Sequence, residues 1–414
     1  MKRRTVLALL SAIAIELRAG FATLSKAAGA TLAASGSTAL ARQLAAAVER
    51  GDTPGVVALL VDRDGVLYEG CAGKLDIAGN LPMRRDAIFR IASMTKPITS
   101  VACMLLVEEG KLGLDDPVSE YLAGFEDLRV ITAFNASNGW YQTRAAKRAM
   151  TIRHLMTHTS GIGYGFSSPI VARLQQHTNK REWELPLLHD PGETWTYGAS
   201  TVVLGRIVEK LTASSLDIYF QERISRPLGM VDTSYTIAPD KQSRVPTLHF
   251  RKNGLLQQQP RAPIVPKRPF EGDGGLFSTA QDYGLFMRML LNGGELGTIR
   301  LLSDNSARLM AENQIGAIVV EQQPAADPAL TRPFPLGAGH DRFGLGFQIA
   351  ADDASPEYRS PGSLSWAGLF NTEFWIDRRR GVAAVMMMQL LPFYDEGAIR
   401  TLRDFERTAY QHLS

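Results

Sequence analysis

The chain has 414 residues, of which 45% are hydrophobic and 21% charged, and its formal net charge is +3. That hydrophobic share excludes wholesale disorder, and the lack of any uninterrupted apolar stretch of about 18 residues excludes a multi-span membrane protein. The charge is too small to indicate nucleic-acid binding, which needs a concentrated basic face. The length predicts two domains or one large intertwined body.

The first 30 residues have the features of a secretory leader. Residues 2–4 are basic, residues 6–15 are apolar, and residues 28–30 (Ala-Gly-Ala) resemble a cleavage site. The Arg-Arg pair points to the twin-arginine route and thus to a periplasmic or secreted protein. Glu16 interrupts the apolar run early, so a frayed or amphipathic N-terminal helix on a cytoplasmic protein is the alternative. Without residues 1–30, which carry a net charge of +4, the rest of the chain is close to neutral.

Hydrophobic periodicity and turn residues predict strands near both termini and helices between them. The fold class is therefore α/β (α+β), with an antiparallel sheet built from both termini, flanked by helices, and an inserted, mainly helical domain. We assign residues 38–110 together with 335–414 to the sheet domain and 111–334 to the helical domain. Helices are expected at 38–50, 93–110, 200–212, 279–294 and 396–413, and strand pairs around the turn 62–65 and across 371–390.

The most informative motif is Ser93-Met94-Thr95-Lys96, at the predicted start of a helix. Ser93 and Lys96 would lie on one face of that helix, one turn apart. A serine hydroxyl becomes a good nucleophile when a base takes its proton, and lysine can be that base when burial and the helix dipole lower its pKa. Pro97 places the helix start near Ser93. A bare S-x-x-K occurs by chance about once in such a chain, so the position at a helix start carries the prediction.

Two further segments could complete a site. Tyr197 precedes a predicted helix, and its phenol could move protons if a lysine lowered its pKa; a buried tyrosine with a satisfied hydroxyl is the alternative. Residues 365–372 enter the C-terminal hairpin and contain Trp366, Ala367 and Gly368. Small residues there allow a substrate to approach the strand closely, and an edge N–H could face a developing oxyanion.

In this order the three segments resemble the active-site elements of the serine β-lactamase-like superfamily. The class C β-lactamase-related proteins are most similar, and among them the family VIII carboxylesterases and related acyltransferases; supporting stretches such as TIRHLMTHTSGI and GDGGLFSTAQDY extend the resemblance over about residues 40–410. It implies a β-lactamase/transpeptidase-like fold with the site at the seam of the two domains. By this resemblance Ser93 is the acylated nucleophile, Lys96 and Tyr197 share the base and acid roles, and the backbone N–H groups of Ser93 and Leu369 form the oxyanion hole.

Two departures from the class C pattern change the expected substrate. Ala199 stands where a Tyr-x-Asn element has its asparagine, and Trp366 stands where Lys-Thr-Gly has its lysine. A lysine there would pair with the carboxylate of a β-lactam, whereas an indole offers an apolar wall. Both changes favour a neutral ester over an anionic amide as the substrate, and we expect it to bind at Trp366, Ala367 and Gly368.

The predicted function is that of a serine carboxylesterase acting on neutral, short-acyl, small-molecule esters through a Ser93 acyl-enzyme, without a metal or organic cofactor. The alternatives are an acyltransferase that uses the same residues, a β-lactamase or D-Ala-D-Ala peptidase-like amide hydrolase, and a non-catalytic binding protein. No nucleic-acid partner and no stable membrane span are expected, and the sequence gives no oligomeric state.

Other motifs are interpreted as structural. Residues 303–305 spell Ser-Asp-Asn but lie too late in the chain for a class A active-site element, and they are expected to cap the following helix. His154 and His158 have a spacing seen in zinc sites, but Leu155 stands where a zinc-hydrolase motif needs glutamate. The arginines at 378–380 are expected at a solvated hairpin tip.

Cys71 and Cys103 lie in apolar runs and are expected to be small buried side chains, with a disulfide between them as the alternative. Tyr164, Phe166 and Phe277 are candidates for lining a substrate pocket, although ordinary core packing would explain each of them equally well.

Overall fold

The computed structural model describes residues 30–266, 268–351 and 357–414. Residues 1–29 of the predicted leader lie outside these ranges. Within them, no helix is both long and apolar enough to cross a membrane.

Ten α-helices are formed by the described residues. They are α1 (Ala34–Glu49), α2 (Thr95–Glu108), α3 (Ile152–Met156), α4 (Pro169–His177), α5 (Ser200–Thr212), α6 (Leu216–Phe220), α7 (Arg226–Leu228), α8 (Ala280–Leu291), α9 (Asp304–Met310) and α10 (Glu396–His412).

The strands of the described residues form one large sheet and several short ribbons. They are β1 (Gly55–Asp62), β2 (Val66–Asp76), β3 (Leu81–Pro82), β4 (Phe89–Arg90), β5 (Arg129–Phe134), β6 (Tyr141–Ala145), β7 (His249–Lys252), β8 (Leu255–Gln258), β9 (Phe277–Ser278), β10 (Glu295–Leu296), β11 (Ile299–Arg300), β12 (Arg342–Phe343), β13 (Gln348–Ile349), β14 (Leu364–Gly368), β15 (Thr372–Asp377), β16 (Val382–Met387) and β17 (Leu390–Leu391).

The large sheet has the order β12-β13-β14-β15-β16-β1-β2-β3, and all of its neighbouring strands are antiparallel. The N-terminal strand β1 pairs with the C-terminal strand β16, in a register that places Leu59 opposite Val385. The sheet is therefore built from both ends of the chain, and the predicted fold class is confirmed.

Strand β1 lies inside the sheet, between β16 and β2, and is buried along its whole length. Because successive side chains of a strand point to opposite faces, Val57 and Leu59 enter one core cluster while Val56 and Leu60 enter the other. Burial on both faces explains why its sequence is continuously apolar rather than alternating. The turn to β2 is closed by Asp62, whose carboxylate accepts hydrogen bonds from the backbone N–H of two turn residues.

Helices cover both faces of the sheet. On one face α1 packs with α10, which contributes Leu402, Phe405 and Ala409 at helical spacing. On the other face α8 packs on β1 and β16; a Cβ on its Gly284 would lie 2.4 Å from Leu59 Cδ2, so the glycine allows this close approach. Helix α8 falls within residues 111–334 of the predicted helical domain, and the partition into two domains stays a prediction.

Three smaller predictions concern the cap of α9, the arginines at 378–380 and the two cysteines. Ser303 is the N-cap of α9, and its side chain accepts a hydrogen bond from the backbone N–H of Ser306 at 3.1 Å, as predicted. The arginines at 378–380 are exposed between β15 and β16. Both cysteines are free thiols; Cys103 is fully buried, whereas Cys71 is only partly buried because it lies near the sheet margin on β2.

Candidate active site

A cavity of about 1290 Å³ is lined by residues from both the sheet and the helical segment. Ser93 and Tyr197 lie in its wall, together with Trp366, Ala367 and Leu369 of the C-terminal hairpin. The three aromatic residues expected to line a pocket (Tyr164, Phe166 and Phe277) all do so. Folding thus brings all three predicted motifs to one cavity, although they are far apart in the sequence.

Ser93 sits in a single 3₁₀ turn, Ala92–Met94, directly before α2. The predicted helix start at Ser93 was therefore two residues early, because this tight turn precedes the α-helical hydrogen bonding that begins at Thr95. Ala92 has a φ of +41°, a left-handed conformation that is unfavourable for a residue with a Cβ. Such strain next to a reactive side chain is typical of active sites.

The hydroxyl of Ser93 contacts two proton-transfer groups. Lys96 Nζ lies 3.0 Å from Ser93 Oγ, and the Tyr197 hydroxyl donates a hydrogen bond to the same oxygen at 2.7 Å. Lys96 Nζ also donates to the backbone carbonyl of Asp273 at 2.8 Å. When Lys96 is neutral, its Nζ has a lone pair that can accept the Ser93 proton across the same short contact.

Burial gives Lys96 the properties of a base. Its side chain lies on α2, a helix buried on almost every side, and is only 2% exposed. Loss of hydration disfavours the ammonium and lowers the pKa of Lys96 from 10.5 to about 8, while the nearby Asp273 opposes this shift. A substantial fraction of the amine is therefore neutral near physiological pH.

Tyr197 differs from the expectation that a neighbouring lysine lowers its pKa. The Lys96 Nζ lies 4.9 Å from the centroid of the Tyr197 ring, but burial dominates and raises the pKa of this phenol well above its usual value. Tyr197 therefore stays protonated, a state that suits a proton donor better than an initial base.

Asp273 and Tyr164 belong to the site, and the sequence did not identify their connection. The Tyr164 hydroxyl donates to the Asp273 carboxylate, and the Tyr164 ring centroid lies 5.3 Å from Lys96 Nζ. The loop that carries Asp273 therefore holds Lys96 through its carbonyl and is itself held by Tyr164. Only the stretch GDGG, quoted above as part of the family resemblance, hinted at this loop.

The two predicted oxyanion donors lie on segments in direct contact. A Cβ on Gly368 would lie 2.2 Å from the carbonyl oxygen of Ile91, so only glycine lets β14 approach the segment before Ser93 this closely. Leu369 follows Gly368, and both Leu369 and Ser93 line the cavity. Their assignment as oxyanion donors stays a prediction.

Aromatic packing fixes the wall beside Tyr197. The Trp366 ring is 7% exposed, lies 5.2 Å from the Tyr197 ring centroid to centroid, and stacks on His158 at 6.0 Å. Burial and the nearby Lys96 hold the pKa of His158 well below its usual value, so this imidazole is neutral. The position that holds lysine in class C enzymes is therefore occupied by an apolar surface, and Ala199 leaves room beside it.

The histidine pair is structural, as expected. His154 Nδ1 accepts a hydrogen bond from the backbone N–H of Thr151 and closes the first turn of α3. His158 packs among aromatic rings instead. Among the described residues, no group of three or more His, Cys, Asp or Glu side chains could hold a metal ion.

The pH dependence of activity should report the protonation of Lys96. We expect kcat/KM for a neutral ester to rise with pH and to level off above an inflection near pH 8, because only the neutral amine can accept the Ser93 proton. Since Asp273 raises the pKa of Lys96, Asp273→Asn should move the inflection to lower pH. A flat profile from pH 6 to 10, measured with p-nitrophenyl butanoate and corrected for spontaneous hydrolysis, would contradict the role of Lys96.

The antiparallel sheet, the buried helix after Ser93 and the cavity at their junction define a class: the serine enzymes of β-lactamase fold that transfer acyl groups. The profile of the family described as "Beta-lactamase" matches residues 40–409. The chain belongs to this family, whose members act on small-molecule substrates.

Individual relatives cover most of the chain. Protein Rv1367c of Mycobacterium tuberculosis is 35% identical over 83% of this chain and 88% of its own. Monacolin J acid methylbutanoyltransferase of Aspergillus terreus is 30% identical (88% and 93%), and Esterase EstB of Burkholderia gladioli is 27% identical (80% and 85%). The solved structure of simvastatin synthase (LovD) from Aspergillus terreus, LovD6 mutant, superposes with a TM-score of 0.79 at 28% identity, covering 92% of this chain and 98% of that one.

Proposed function

We propose that the protein hydrolyses neutral carboxylic esters through an acyl-enzyme on Ser93. The observation that carries the proposal is the position of Ser93 Oγ, in the cavity wall within 3.0 Å of both Lys96 Nζ and the Tyr197 hydroxyl. A nucleophile in contact with both a base and an acid is what acyl transfer requires. The indole of Trp366, in place of a cation, favours a substrate without a carboxylate.

The reaction proceeds in two half-reactions, the acylation of Ser93 and its deacylation. Neutral Lys96 takes the proton of Ser93 as Oγ bonds to the acyl carbonyl carbon, and the oxyanion faces the backbone N–H groups of Ser93 and Leu369. Collapse breaks the ester C–O bond, Tyr197 protonates the departing alkoxide, and the Lys96 ammonium returns its proton to the phenolate. Water then attacks the acyl-enzyme with the same groups in the same roles, which releases the acid and restores the Ser93 hydroxyl.

Transfer of the acyl group to an alcohol is the second candidate function. The same three residues would perform it, with an alcohol in place of water in the second half. The size of the cavity, about 1290 Å³, exceeds the usual range for a small-molecule site and favours a bulky acceptor. Its walls include Phe166, Trp183 and Phe270, whose rings would contact the apolar part of such an acceptor.

Intact-mass spectrometry tests the function directly. Incubation with p-nitrophenyl butanoate should give one butanoyl adduct, located on the peptide that contains Ser93, and butanoate as the product. When 1-butanol is added, the ratio of butyl butanoate to butanoate would measure acyl transfer relative to hydrolysis. Faster hydrolysis of a chromogenic cephalosporin than of the ester would replace the proposal with a β-lactamase, and failure of esters and lactams alike to label Ser93 would overturn it in favour of a binding protein.

A further inference from the structure

The cavity that contains Ser93 continues to the opposite face of the sheet. Phe374 belongs to the core cluster beneath α8, whereas Trp375 belongs to the cluster beneath α10. Because side chains alternate along a strand, Glu373 of β15 faces the α10 side, directly across from Ala367 of β14. Both Glu373 and Ala367 line the same cavity as Ser93, as do Leu402 and Glu406 of α10, so the cavity reaches the α10 side of the sheet. We call the part on the α10 side the far lobe; Arg359, Glu373, Arg403 and Glu406 line it.

Glu373 is partly buried, and one oxygen of its carboxyl group is buried without a partner. Its Oε1 is inaccessible to solvent and has no hydrogen-bond partner among the described residues. Leaving such an atom unpaired costs free energy, so a group that supplies the missing hydrogen bond would be bound favourably. Burial raises the pKa of Glu373 to about 8, with the Glu406 carboxylate adding to the increase and the Arg359 guanidinium opposing it. At neutral pH the group is thus largely a carboxylic acid, able both to donate and to accept.

The charges around Glu373 favour an uncharged ligand. Arg359 donates to both carboxylate oxygens of Glu406 at 2.7 Å and lies over the ring of Trp375 at 4.9 Å, so this ion pair is already satisfied. With Arg359 and Glu406 paired to each other and Arg403 exposed to solvent, the surroundings of the Glu373 carboxylic acid carry little uncompensated charge. A hydroxyl group suits this position because, like a carboxylic acid, it donates one hydrogen bond and accepts others.

We propose that the far lobe binds the alcohol part of the ester and that Glu373 hydrogen-bonds a second hydroxyl group on that alcohol. The substrates are then esters of diols or polyols rather than of simple alcohols. This assignment rests on the proposed acyl transfer at Ser93. The apolar branch of the cavity, with Phe166, Val202 and Phe270, suits an acyl chain, which has no hydrogen-bonding group to offer Glu373.

The test compares leaving groups that differ only in a terminal hydroxyl. Hydrolysis of ω-hydroxyalkyl butanoates is measured beside that of the n-alkyl butanoates of equal carbon number, over a series of chain lengths. At the length that reaches Glu373, wild type should prefer the hydroxylated ester by about tenfold in kcat/KM, mainly through KM. Glu373→Met, of similar length and without a polar terminus, should reduce this ratio to about one, and Glu373→Gln should retain most of it.

The ratio within each variant cancels any general loss of folded enzyme. Ala367→Val adds bulk to the far lobe from the facing strand and should lower the same ratio while Glu373 is intact, which gives a second test if Glu373→Met does not fold. Glu49→Met, on the exposed end of α1, is the matched control and should behave like wild type. Turnover with no hydroxyl preference at any length, or a preference that survives Glu373→Met and Ala367→Val, overturns this inference alone; absence of any ester turnover by wild type overturns the proposed function.

Discussion

Replacing Ser93 with alanine is expected to lower the turnover of p-nitrophenyl butanoate by at least about 10⁴-fold, because no other hydroxyl occupies the point between Lys96 and Tyr197. The butanoyl adduct should disappear from the intact-mass spectrum at the same time. The fold should persist, since the Ser93 hydroxyl bonds only to these two side chains among the described residues and removing it leaves the 3₁₀ turn intact.

A second serine provides the matched control. Ser303→Ala removes the N-cap of α9 and should lower the free energy of unfolding by about 1 kcal/mol while turnover stays at the wild-type level. The pair of variants therefore separates chemistry from stability. More than a few per cent of wild-type activity in a Ser93→Ala sample shown to be free of wild type would exclude Ser93 as the nucleophile.

Lys96→Met should inactivate the enzyme and stabilise it. Loss of the base should reduce kcat/KM by about 10²–10⁴-fold. The lowered pKa means that burying the ammonium costs about 3 kcal/mol of folding free energy, whereas methionine loses two hydrogen bonds worth about 1 kcal/mol each. The free energy of unfolding at pH 7 should therefore rise by about 1 kcal/mol, a sign of the conflict between stability and activity at this site.

The expected gain in stability comes from removing a buried ammonium rather than from better packing by methionine. The direction in which the gain changes with pH distinguishes these two causes. Below pH 8 both folded and unfolded chains hold the Lys96 proton, and the burial cost is at its full value. As pH rises from about 8 to 10.5 the unfolded chain alone keeps the proton, so the cost declines and wild type gains stability relative to Lys96→Met. Urea unfolding at pH 7 and pH 10 measures the difference, with Lys252→Met at the exposed end of β7 as the control. A Lys96→Met variant less stable than wild type at pH 7 would contradict this account.

Local sequence signals predicted most of the elements because their causes are local. The apolar run of β1, the Asp62 turn and the cap at Ser303 each depend on residues within a few positions of one another. The helix after Ser93 was predicted from its periodicity, and its start was misplaced by two residues because a 3₁₀ turn and an α-helix share the same sequence preferences.

The properties of the site depend on contacts between residues that are far apart in the sequence, and no local pattern predicts such contacts. The sequence found Ser93, Lys96 and Tyr197 through motifs, but it could not show that burial keeps Tyr197 protonated, since that depends on rings from three distant segments. Asp273 was missed for the same reason: its carbonyl reaches Lys96 from 177 residues away.

The sequence by itself determined the family of chemistry: a serine and a lysine one turn apart, a tyrosine before a helix, and an indole where a cation would bind a carboxylate. The tertiary structure alone decided the protonation of those groups and brought Glu373 into the lining of the cavity that contains Ser93. The physical reason is that the pKa of a group depends on how completely water is excluded from it, and a cavity depends on which side chains surround it. Both are set by every segment that packs around the site rather than by neighbours in the chain.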